Sequence, residues 1–349
     1  MVDGEIMDEV RWGIIGCGDV CEVKSGPAFY KTTESKLVAV MRRNGELAKD
    51  FAERHGVPKW YDDGQQLIDD SDVNMVYVAT PPSTHKEYTL AAARAGKPVY
   101  VEKPMAMNHG ECEEMIAACD DAGVPLFVAY YRRGHARFRK VKELIDSNAI
   151  GSPRLVNVRL NSKISERDKN PETRQWRVIP EIAGGGVYCD LACHTLDILQ
   201  FFFGPIQKVM GFATNQGGFY EAEDTVTGTF LFENGTQGVG AWCFVTGDGQ
   251  DIIEIIGSEG KLIIDCSHTG LEILDASGPK QIDTTFWPVQ HGQGVGILRY
   301  ELEHFAQCIR ADKPSEIITP QEAARVVAVM QTAETSAAEG RVLEFIDPF

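Results

Sequence analysis

The sequence has no uninterrupted run of ~18 apolar residues, the length that a membrane-spanning helix needs. Its first segment, Met1–Arg11, is acidic and lacks the apolar stretch of a secretory signal peptide. There is no Cys-x-x-Cys pair, and the nine cysteines are an odd number scattered along the chain. We therefore expect a cytoplasmic protein with reduced thiols, with neither a disulfide framework nor a metal site.

Basic residues are also scarce relative to acidic ones. Lysine and arginine together number 34 against 51 aspartates and glutamates, so the net charge is −17. A surface this acidic repels phosphate backbones and anionic lipid headgroups. Nucleic acid and membrane surfaces are therefore not expected partners.

The order of apolar segments divides the 349 residues into two predicted domains, 1–133 and 134–349. In the first, short apolar segments such as Val10–Ile15 and Met75–Thr80 alternate with segments of helical spacing. This alternation predicts a doubly wound parallel sheet. In the second, consecutive strand-like segments joined by short turns, Asn234-Gly235 among them, predict a mostly antiparallel sheet within an α/β domain.

A glycine-containing loop follows the first predicted strand. Gly16 and Gly18 allow a tight turn and the close approach of a pyrophosphate to backbone N–H groups at a helix N-terminus, and Asp19 and Val20 follow them in the loop. Cys21 stands where the dinucleotide-binding pattern has its third glycine, and a small cysteine side chain fits that position. The loop predicts a Rossmann-type dinucleotide site, with an ordinary glycine-rich turn as the alternative. The acidic Asp19 beside phosphates has no explanation at this level.

Two arginines end the second predicted strand. A site that prefers NAD places an acidic residue there for the ribose 2′-hydroxyl, whereas Arg42 and Arg43 offer guanidinium groups to a 2′-phosphate. We therefore expect NADP as the cofactor, with NAD as the alternative. Arg43 alone is equally consistent with a solvated surface residue.

The tripeptide Glu102-Lys103-Pro104 ends the fourth predicted strand. The carboxyl ends of strands line the ligand crevice of an open α/β sheet, so Lys103 is placed to reach a substrate oxygen. A surface lysine before a turn is the alternative interpretation.

A glycine run, Gly184–Gly186, precedes a predicted helix that carries Asp190, His194 and Asp197. Their spacing of four and three residues puts all three side chains on one helical face. We expect the glycines to leave the helix N-terminus open to a ligand, and His194 to be neutral and able to accept a proton. A capping aspartate and a core histidine are the alternative.

Several of these motifs, in this order, resemble the Gfo/Idh/MocA family of oxidoreductases. The resemblance extends from about residue 10 to about residue 345. The matching segments are Gly16-x-Gly18, Ala79–His85, Glu102–Pro104, Trp176-Arg177, Gly184–His194, Gly257–Gly260 and Ser336–Arg341.

The resemblance implies an N-terminal Rossmann domain and a C-terminal α/β domain with a large, mostly antiparallel open sheet that mediates homodimers or homotetramers. It implies a sugar or cyclic polyol as the substrate. The family's catalytic residues fall on Lys103, Asp190 and His194. Its cofactor contacts fall on Thr80, Pro81, His85, Glu102, Lys103, Trp176 and Arg177.

These expectations combine into one hypothesis, hydride transfer between a nicotinamide ring and a secondary alcohol or carbonyl carbon. His194 exchanges the proton, Lys103 stabilises the developing alkoxide, and Asp190 positions His194 or the substrate. A non-catalytic cofactor-binding regulator on the same fold is the main alternative. A methyltransferase that uses S-adenosylmethionine is a second alternative, although it has no use for the Glu-Lys-Pro turn.

Overall fold

The computed structural model describes residues 9–23, 25–32, 35–268, 270–283, 296–311 and 313–345. The chain forms two compact units, one of Met1–Gly134 with Pro288–Ala324 and the other of His135–Trp287 with Arg325–Phe349. The predicted domains are contiguous, so this grouping differs from them in the segment Pro288–Ala324. The expectation about a signal peptide rests on Met1–Arg11, and the first eight of these residues lie outside the described residues.

The first unit contains a six-stranded sheet in the order β3-β2-β1-β4-β5-β6, and every pair in it is parallel. This is the order of a doubly wound dinucleotide-binding fold, as the sequence predicts. Four apolar residues of β4 are all buried, as expected of a central parallel strand. The strands are β1 (Val10–Ile15), β2 (Ser35–Met41), β3 (Lys59–Tyr61), β4 (Met75–Val78), β5 (Val99–Val101) and β6 (Leu126–Val128).

Helices connect these strands, and their ends carry the expected capping residues. Asn44 accepts the Leu47 N–H at one helix start, and Gly56 ends that helix with a φ of 67°. The helices are α1 (Asp19–Val23), α2 (Gly26–Lys31), α3 (Gly45–His55), α4 (Gly64–Asp69), α5 (His85–Arg94) and α6 (His109–Ala122).

The second unit contains a nine-stranded sheet in the order β14-β13-β12-β11-β7-β10-β9-β8-β15. Its strands pair antiparallel except for β10 with β7, so the predicted antiparallel character is confirmed. The strands are β7 (Pro153–Asn161), β8 (Ile206–Thr214), β9 (Thr225–Phe232), β10 (Gln237–Cys243), β11 (Gln250–Gly257), β12 (Lys261–Asp265), β13 (Leu271–Asp275), β14 (Gly278–Gln281) and β15 (Leu343–Glu344).

The helices from residue 136 onward are α7 (Ala136–Asp146), α8 (Glu166–Lys169), α9 (Pro180–Ala183), α10 (Val187–Phe203), α11 (Gly296–Ala311) and α12 (Pro320–Glu339). Helix α11 belongs to the first unit because Phe305 packs against Phe127 and Tyr100, with ring centroids 4.2 and 5.0 Å apart. In the part of the chain that the structure describes, no helix is long and apolar enough to cross a bilayer.

Candidate active site

The predicted cofactor residues of the first unit all follow the carboxyl ends of its parallel strands. The carboxyl ends of parallel strands share one edge of the sheet, and ligands of open α/β folds bind there. The structure therefore brings these residues to one edge. After β1 come Gly16, Gly18, Asp19 and Val20; after β2, Arg42 and Arg43; after β4, Thr80, Pro81 and His85; after β5, Glu102 and Lys103.

The glycine loop is a tight turn held on the neighbouring strand. The Gly16 and Cys17 N–H groups both donate to the carbonyl oxygen of Met41, at 2.9 and 3.1 Å. Gly16 has a φ of +91°, and a Cβ there would lie 2.8 Å from the Thr80 nitrogen. A Cβ on Gly18, in contrast, would meet nothing nearer than 3.9 Å. Gly16 is thus required by the fold, whereas Gly18 leaves open space over the backbone.

Cys21 fills the position of the missing third glycine without disturbing the packing. Its side chain is fully buried, and its sulfur lies 3.8 Å from the Gly16 carbonyl oxygen and 3.6 Å from the Ser25 hydroxyl. Burial raises the pKa of the Cys21 thiol well above its ordinary value, so the group stays neutral. The prediction that a cysteine is accommodated here is confirmed by this packing.

Helix α1 is also fastened to α3 by an ion-pair cluster. Glu22 accepts from Arg54 at 2.6 Å (Nη2 to Oε1) and lies 2.9 Å from His55 (Nε2 to Oε2). The hydrogen bond from Arg54 is the main cause that lowers the pKa of Glu22 to about 2. The cluster fixes the helix that begins directly after the glycine loop.

Arg42 is half-buried and Arg43 is exposed, directly after β2. The Arg42 N–H donates to the Tyr61 carbonyl oxygen at 3.2 Å, which fixes its backbone. Neither guanidinium forms a hydrogen bond or ion pair with another residue in the described ranges. Both charges are therefore available to an anionic ligand.

A hydroxyl group at the end of β4 fits a nicotinamide dinucleotide. The Thr80 hydroxyl is buried and has no hydrogen-bond partner among the residues that the structure describes. A buried hydroxyl without a partner is costly, so a ligand that bonds to it is favoured. Together with the open space over Gly18, this orphaned group makes the edge suitable for the dinucleotide.

The buried side chain of His85 lies between the segments that follow β4 and β5, and its ring faces backbone carbonyl groups. Its Nε2 lies 2.8 Å from the Thr80 carbonyl oxygen, and its Nδ1 lies 3.1 and 3.2 Å from the carbonyl oxygens of Pro104 and Met105. Burial lowers the pKa of His85 below its ordinary value. The neutral ring therefore lies between the two loops and donates its single N–H to a carbonyl oxygen of one of them.

Glu102 is fixed by its neighbours on both carboxylate oxygens. The Tyr77 phenol donates to Oε1 at 2.5 Å, and the Lys103 N–H donates to Oε2 at 3.2 Å. The Glu102 N–H donates to the Val78 carbonyl oxygen at 2.9 Å. Sequence reasoning missed Tyr77, which reads as one more apolar core residue of β4. A phenol in an otherwise aliphatic buried strand is the available signal, because its hydroxyl needs a partner.

In the second unit, the structure brings together three predicted site residues. Arg177 donates to Asp190 at 2.9 Å (Nε to Oδ2), and its guanidinium carbon lies 4.6 Å from the centroid of the Trp176 ring. The carboxylate of Asp190 is largely buried, whereas the Arg177 side chain is 38% exposed. The Trp176 ring thus stacks on the cation, and part of the Arg177 side chain remains exposed.

Asp190, His194 and Asp197 lie on α10, and all three are buried. Asp190 is in the first turn of the helix, where the helix dipole favours a negative charge. His194 is the eighth residue of α10, so the dipole, which falls off within the first turn, acts on Asp190 more than on His194.

The glycine run before α10 serves packing. A Cβ on Gly185 would lie 2.3 Å from the Cys189 sulfur, and one on Gly186 would lie 2.8 Å from the Ala222 Cβ. The expectation that all three glycines open the helix to a ligand is therefore wrong for Gly185 and Gly186, because protein atoms fill the space beside them.

A partly buried acid, Glu334, lies beside the start of α10. The Cys189 thiol donates to Glu334 at 3.5 Å (Sγ to Oε1), and Glu223 is close enough to repel that carboxylate. Burial is the larger cause that raises the pKa of Glu334 to about 7. Glu334 and Glu223 face a small cavity with apolar walls that include Tyr188 and Phe230.

Comparison with protein families agrees with both sheets. Residues 10–130 match the oxidoreductase family with an NAD-binding Rossmann fold, Gfo/Idh/MocA, and residues 138–263 match the C-terminal domain of the same family. The two matches together span more than half of the chain.

Individual relatives point the same way. An oxidoreductase from Formosa agariphila is 42% identical over 72% of this chain and 78% of its own length. A 1,5-anhydro-D-fructose reductase from Ensifer adhaerens is 32% identical over 72% and 75%. The crystal structure of an aldose–aldose oxidoreductase from Caulobacter crescentus, 26% identical, matches 96% of this chain and 99% of that chain with a TM-score of 0.85. This chain therefore belongs to the Gfo/Idh/MocA family of oxidoreductases.

Proposed function

We propose that this protein transfers a hydride, reversibly, between a nicotinamide dinucleotide and a secondary alcohol or carbonyl carbon of a sugar or cyclic polyol. The observation that carries the proposal is the set of residues at the carboxyl edge of the parallel sheet. There a glycine loop, an orphaned threonine hydroxyl and Lys103 follow neighbouring strands. The names of the Ensifer adhaerens and Caulobacter crescentus relatives, a reductase and an oxidoreductase of sugars, support the substrate class.

NADP is the proposed cofactor. Arg42 and Arg43 follow β2 with guanidinium groups that have no partner in the described part of the chain, and a 2′-phosphate offers them charge-assisted hydrogen bonds. The other proposed contacts are Gly16, Gly18, Asp19, Val20, Thr80, Pro81, His85, Glu102, Lys103, Trp176 and Arg177. Because the His85 ring faces backbone carbonyl groups, its contribution to this set is to hold Thr80 in place.

When bound, the nicotinamide ring supplies the hydride acceptor or donor. Lys103 donates a hydrogen bond to the reacting oxygen and stabilises the negative charge that develops on it. His194 accepts the hydroxyl proton in oxidation and returns it in reduction. Asp190, held by Arg177, orients His194 or the substrate.

We also propose assembly into homodimers or homotetramers through the second sheet. Phe212 on β8 and Val239 on β10 point to the same face of that sheet, 62% and 45% exposed. Exposed apolar side chains on a wide sheet favour burial against a second copy. The nine cysteines are all free thiols, which supports the cytoplasmic location expected from the sequence.

The test is a fluorescence titration of the pure protein with NADPH and NADH, followed by a screen of aldoses and cyclic polyols for turnover. Tight NADPH binding with turnover of at least one of these substrates supports the whole proposal. Preferential NADH binding overturns the choice of NADP alone. Cofactor binding without turnover of any polyol or aldose favours the regulator, and binding of neither dinucleotide overturns the proposal.

A further inference from the structure

Two buried tyrosines lie side by side on the central strands of the parallel sheet. Tyr77 of β4 and Tyr100 of β5 stack with their ring centroids 5.0 Å apart, and neither is exposed to solvent. Each donates its phenol to a carboxylate, Tyr77 to Glu102 at 2.5 Å and Tyr100 to Glu301 at 2.7 Å. The two accepting carboxylates differ in their place in the chain, because only Glu102 directly precedes Lys103.

We propose that Tyr77 is a positioning residue for Lys103 and acts through the carboxylate of Glu102. This inference rests on the proposed function, since it concerns the lysine that we assign to the reacting oxygen. It adds a residue with no charge and no contact with the cofactor or the substrate.

The physical basis is that the backbone of Glu102 does not fix its side-chain torsions. Its backbone is tied to the strand by the N–H bond to Val78, but its carboxylate can turn about the side-chain torsions. The Tyr77 phenol holds Oε1, and only then does Oε2 remain directed at the Lys103 N–H. Burial raises the pKa of Tyr77 well above its ordinary value, so the phenol remains a donor at working pH.

The residues that follow Lys103 are also held in place. His85 contacts the carbonyl oxygens of Pro104 and Met105 with Nδ1 and that of Thr80 with Nε2. Lys103 therefore lies between two fastened points, one made by Tyr77 and the other by His85. Loss of either fastening frees the backbone from which the lysine side chain extends.

The experiment compares Tyr77→Phe with Tyr100→Phe, a matched control that removes an equally buried phenol hydroxyl from the adjacent strand. Amide hydrogen exchange, resolved to single residues, is measured on the protein without substrate. A lost hydrogen bond to a carboxylate predicts exchange of the Lys103 amide at least about tenfold faster in Tyr77→Phe. In Tyr100→Phe the same amide exchanges at the wild-type rate.

Kinetics give a second readout. We expect kcat of Tyr77→Phe to fall about tenfold, as for a lost charge-assisted hydrogen bond, with the dissociation constant of the dinucleotide within about twofold of wild type. In a Lys103→Met background, Tyr77→Phe lowers kcat no further, because the residue that it positions is absent. A role in general stability does not produce this dependence on Lys103.

Unchanged exchange of the Lys103 amide in folded Tyr77→Phe overturns the inference, as does a loss of kcat that persists in the Lys103→Met background. If Tyr77→Phe does not fold, Glu102→Gln makes the same test. The side-chain amide of Gln has one oxygen in place of the two that now accept from the Tyr77 phenol and the Lys103 N–H. Faster Lys103 exchange in that variant then supports the inference, and unchanged exchange overturns it. If the wild type turns over no sugar or polyol, the proposed function fails, while the exchange measurement still decides the role of Tyr77.

Discussion

Arg177 donates to Asp190 across 2.9 Å, from its Nε to the Oδ2 of a carboxylate that is largely buried at the start of α10. The pair joins the Trp-Arg dipeptide of a short helical turn to the helix that carries His194. Since one partner is buried and the other is 38% exposed, the arginine can be replaced without opening the core. The pair therefore offers a direct test of the catalytic role that we propose for residues of the second unit.

We expect Arg177→Met to lower kcat/KM by about 10- to 100-fold, since a hydrogen bond to a charged group contributes about 1.5–3 kcal/mol. Arg177→Lys restores only part of this loss, because an ammonium group lacks the guanidinium geometry. Asp190→Asn combined with Arg177→Met is no worse than Asp190→Asn alone if the two residues act as a unit. If Arg177→Met raises only the KM for the dinucleotide and leaves kcat unchanged, the positioning role is contradicted. Arg177 is then a contact with the cofactor.

Lys103→Met is expected to lower kcat by about 100- to 1,000-fold, the loss typical of removing a donor to a developing oxyanion. The dissociation constant of the dinucleotide stays within about twofold, because Lys103 is one of many proposed contacts with the dinucleotide and its main proposed role is at the reacting oxygen. Lys49→Met on the exposed face of α3 is the control, and we expect wild-type kinetics for it. Stopped-flow and steady-state rates with a shared substrate measure both. Turnover of Lys103→Met at the wild-type rate contradicts the assignment.

Arg42→Gln should weaken NADPH binding by about 10- to 100-fold while NADH binding changes less than about threefold, because only NADPH carries the 2′-phosphate. Arg43→Gln, at the exposed neighbouring position, serves as the comparison and shows whether one or both guanidinium groups are used. Fluorescence titration with both dinucleotides gives the four constants. An equal effect of Arg42→Gln on both dinucleotides refutes the proposed preference.

We expect substitution of Gly16 to lower the stability of the protein and substitution of Gly18 to weaken dinucleotide binding. In Gly16→Ala the new Cβ lies 2.8 Å from the Thr80 nitrogen at a φ of +91°, so we expect a loss of about 1–3 kcal/mol in the free energy of unfolding. Gly18→Ala has room for its Cβ, so its stability stays within about 0.5 kcal/mol of wild type. Its methyl group nevertheless occupies the space left for the pyrophosphate, and we expect at least about tenfold weaker dinucleotide binding. Thermal unfolding and titration of both variants check this, and tight binding by Gly18→Ala disproves it.

Glu334 is expected to make stability fall as pH rises through neutrality. Burial raises its pKa from 4.5 to about 7. Between pH 4.5 and pH 7 the carboxyl group therefore keeps its proton in the folded protein and has lost it in the unfolded chain. Stability from the neutral form is thus present at pH 4.5 and is lost as pH rises toward 7 and above. We expect Glu334→Gln to remove this dependence and to raise the free energy of unfolding at pH 8 by about 3 kcal/mol at most.

Denaturant unfolding of wild type, Glu334→Gln and the exposed control Glu339→Gln, repeated from about pH 5 to about pH 8, measures the effect. The expected results are a control that parallels wild type and a flatter profile for Glu334→Gln. Parallel profiles for all three proteins count against a buried, titrating Glu334.

The sequence predicts most of the parallel sheet, because its buried strands are continuous apolar segments bounded by glycine and proline. β1 is predicted residue for residue, and the predicted segment Met75–Thr80 contains β4 and extends two residues beyond its end. β3, Lys59–Tyr61, is missed because three residues with a lysine and a partly exposed tryptophan form no apolar run. The order of strands in the sheet is not available from local pattern and follows from the fold alone.

The candidate site also has a part that the sequence predicts and a part that it does not. Residues that follow strand ends, such as Lys103 and Arg42, are predictable, since strand periodicity and the chain order of parallel folds place them at one edge. The Arg177–Asp190 pair and the Tyr77–Glu102 pair are not, because partners 13 and 25 residues apart meet only through tertiary packing. The glycine run before α10 is misread for the same reason, since Ala222 fills its space from a distant part of the chain.

The helix α11 completes the core of the first unit from far along the chain. Glu301 is fully buried and accepts the Tyr100 phenol, and Phe305 stacks on Phe127, so the parallel sheet is sealed by residues about 200 positions downstream. A fragment that ends near residue 134 exposes these rings to water and leaves the Tyr100 hydroxyl without its carboxylate. On the ribosome, the nucleotide-binding unit therefore cannot complete its core when its last strand emerges, and it must remain partly open until α11 has been synthesised.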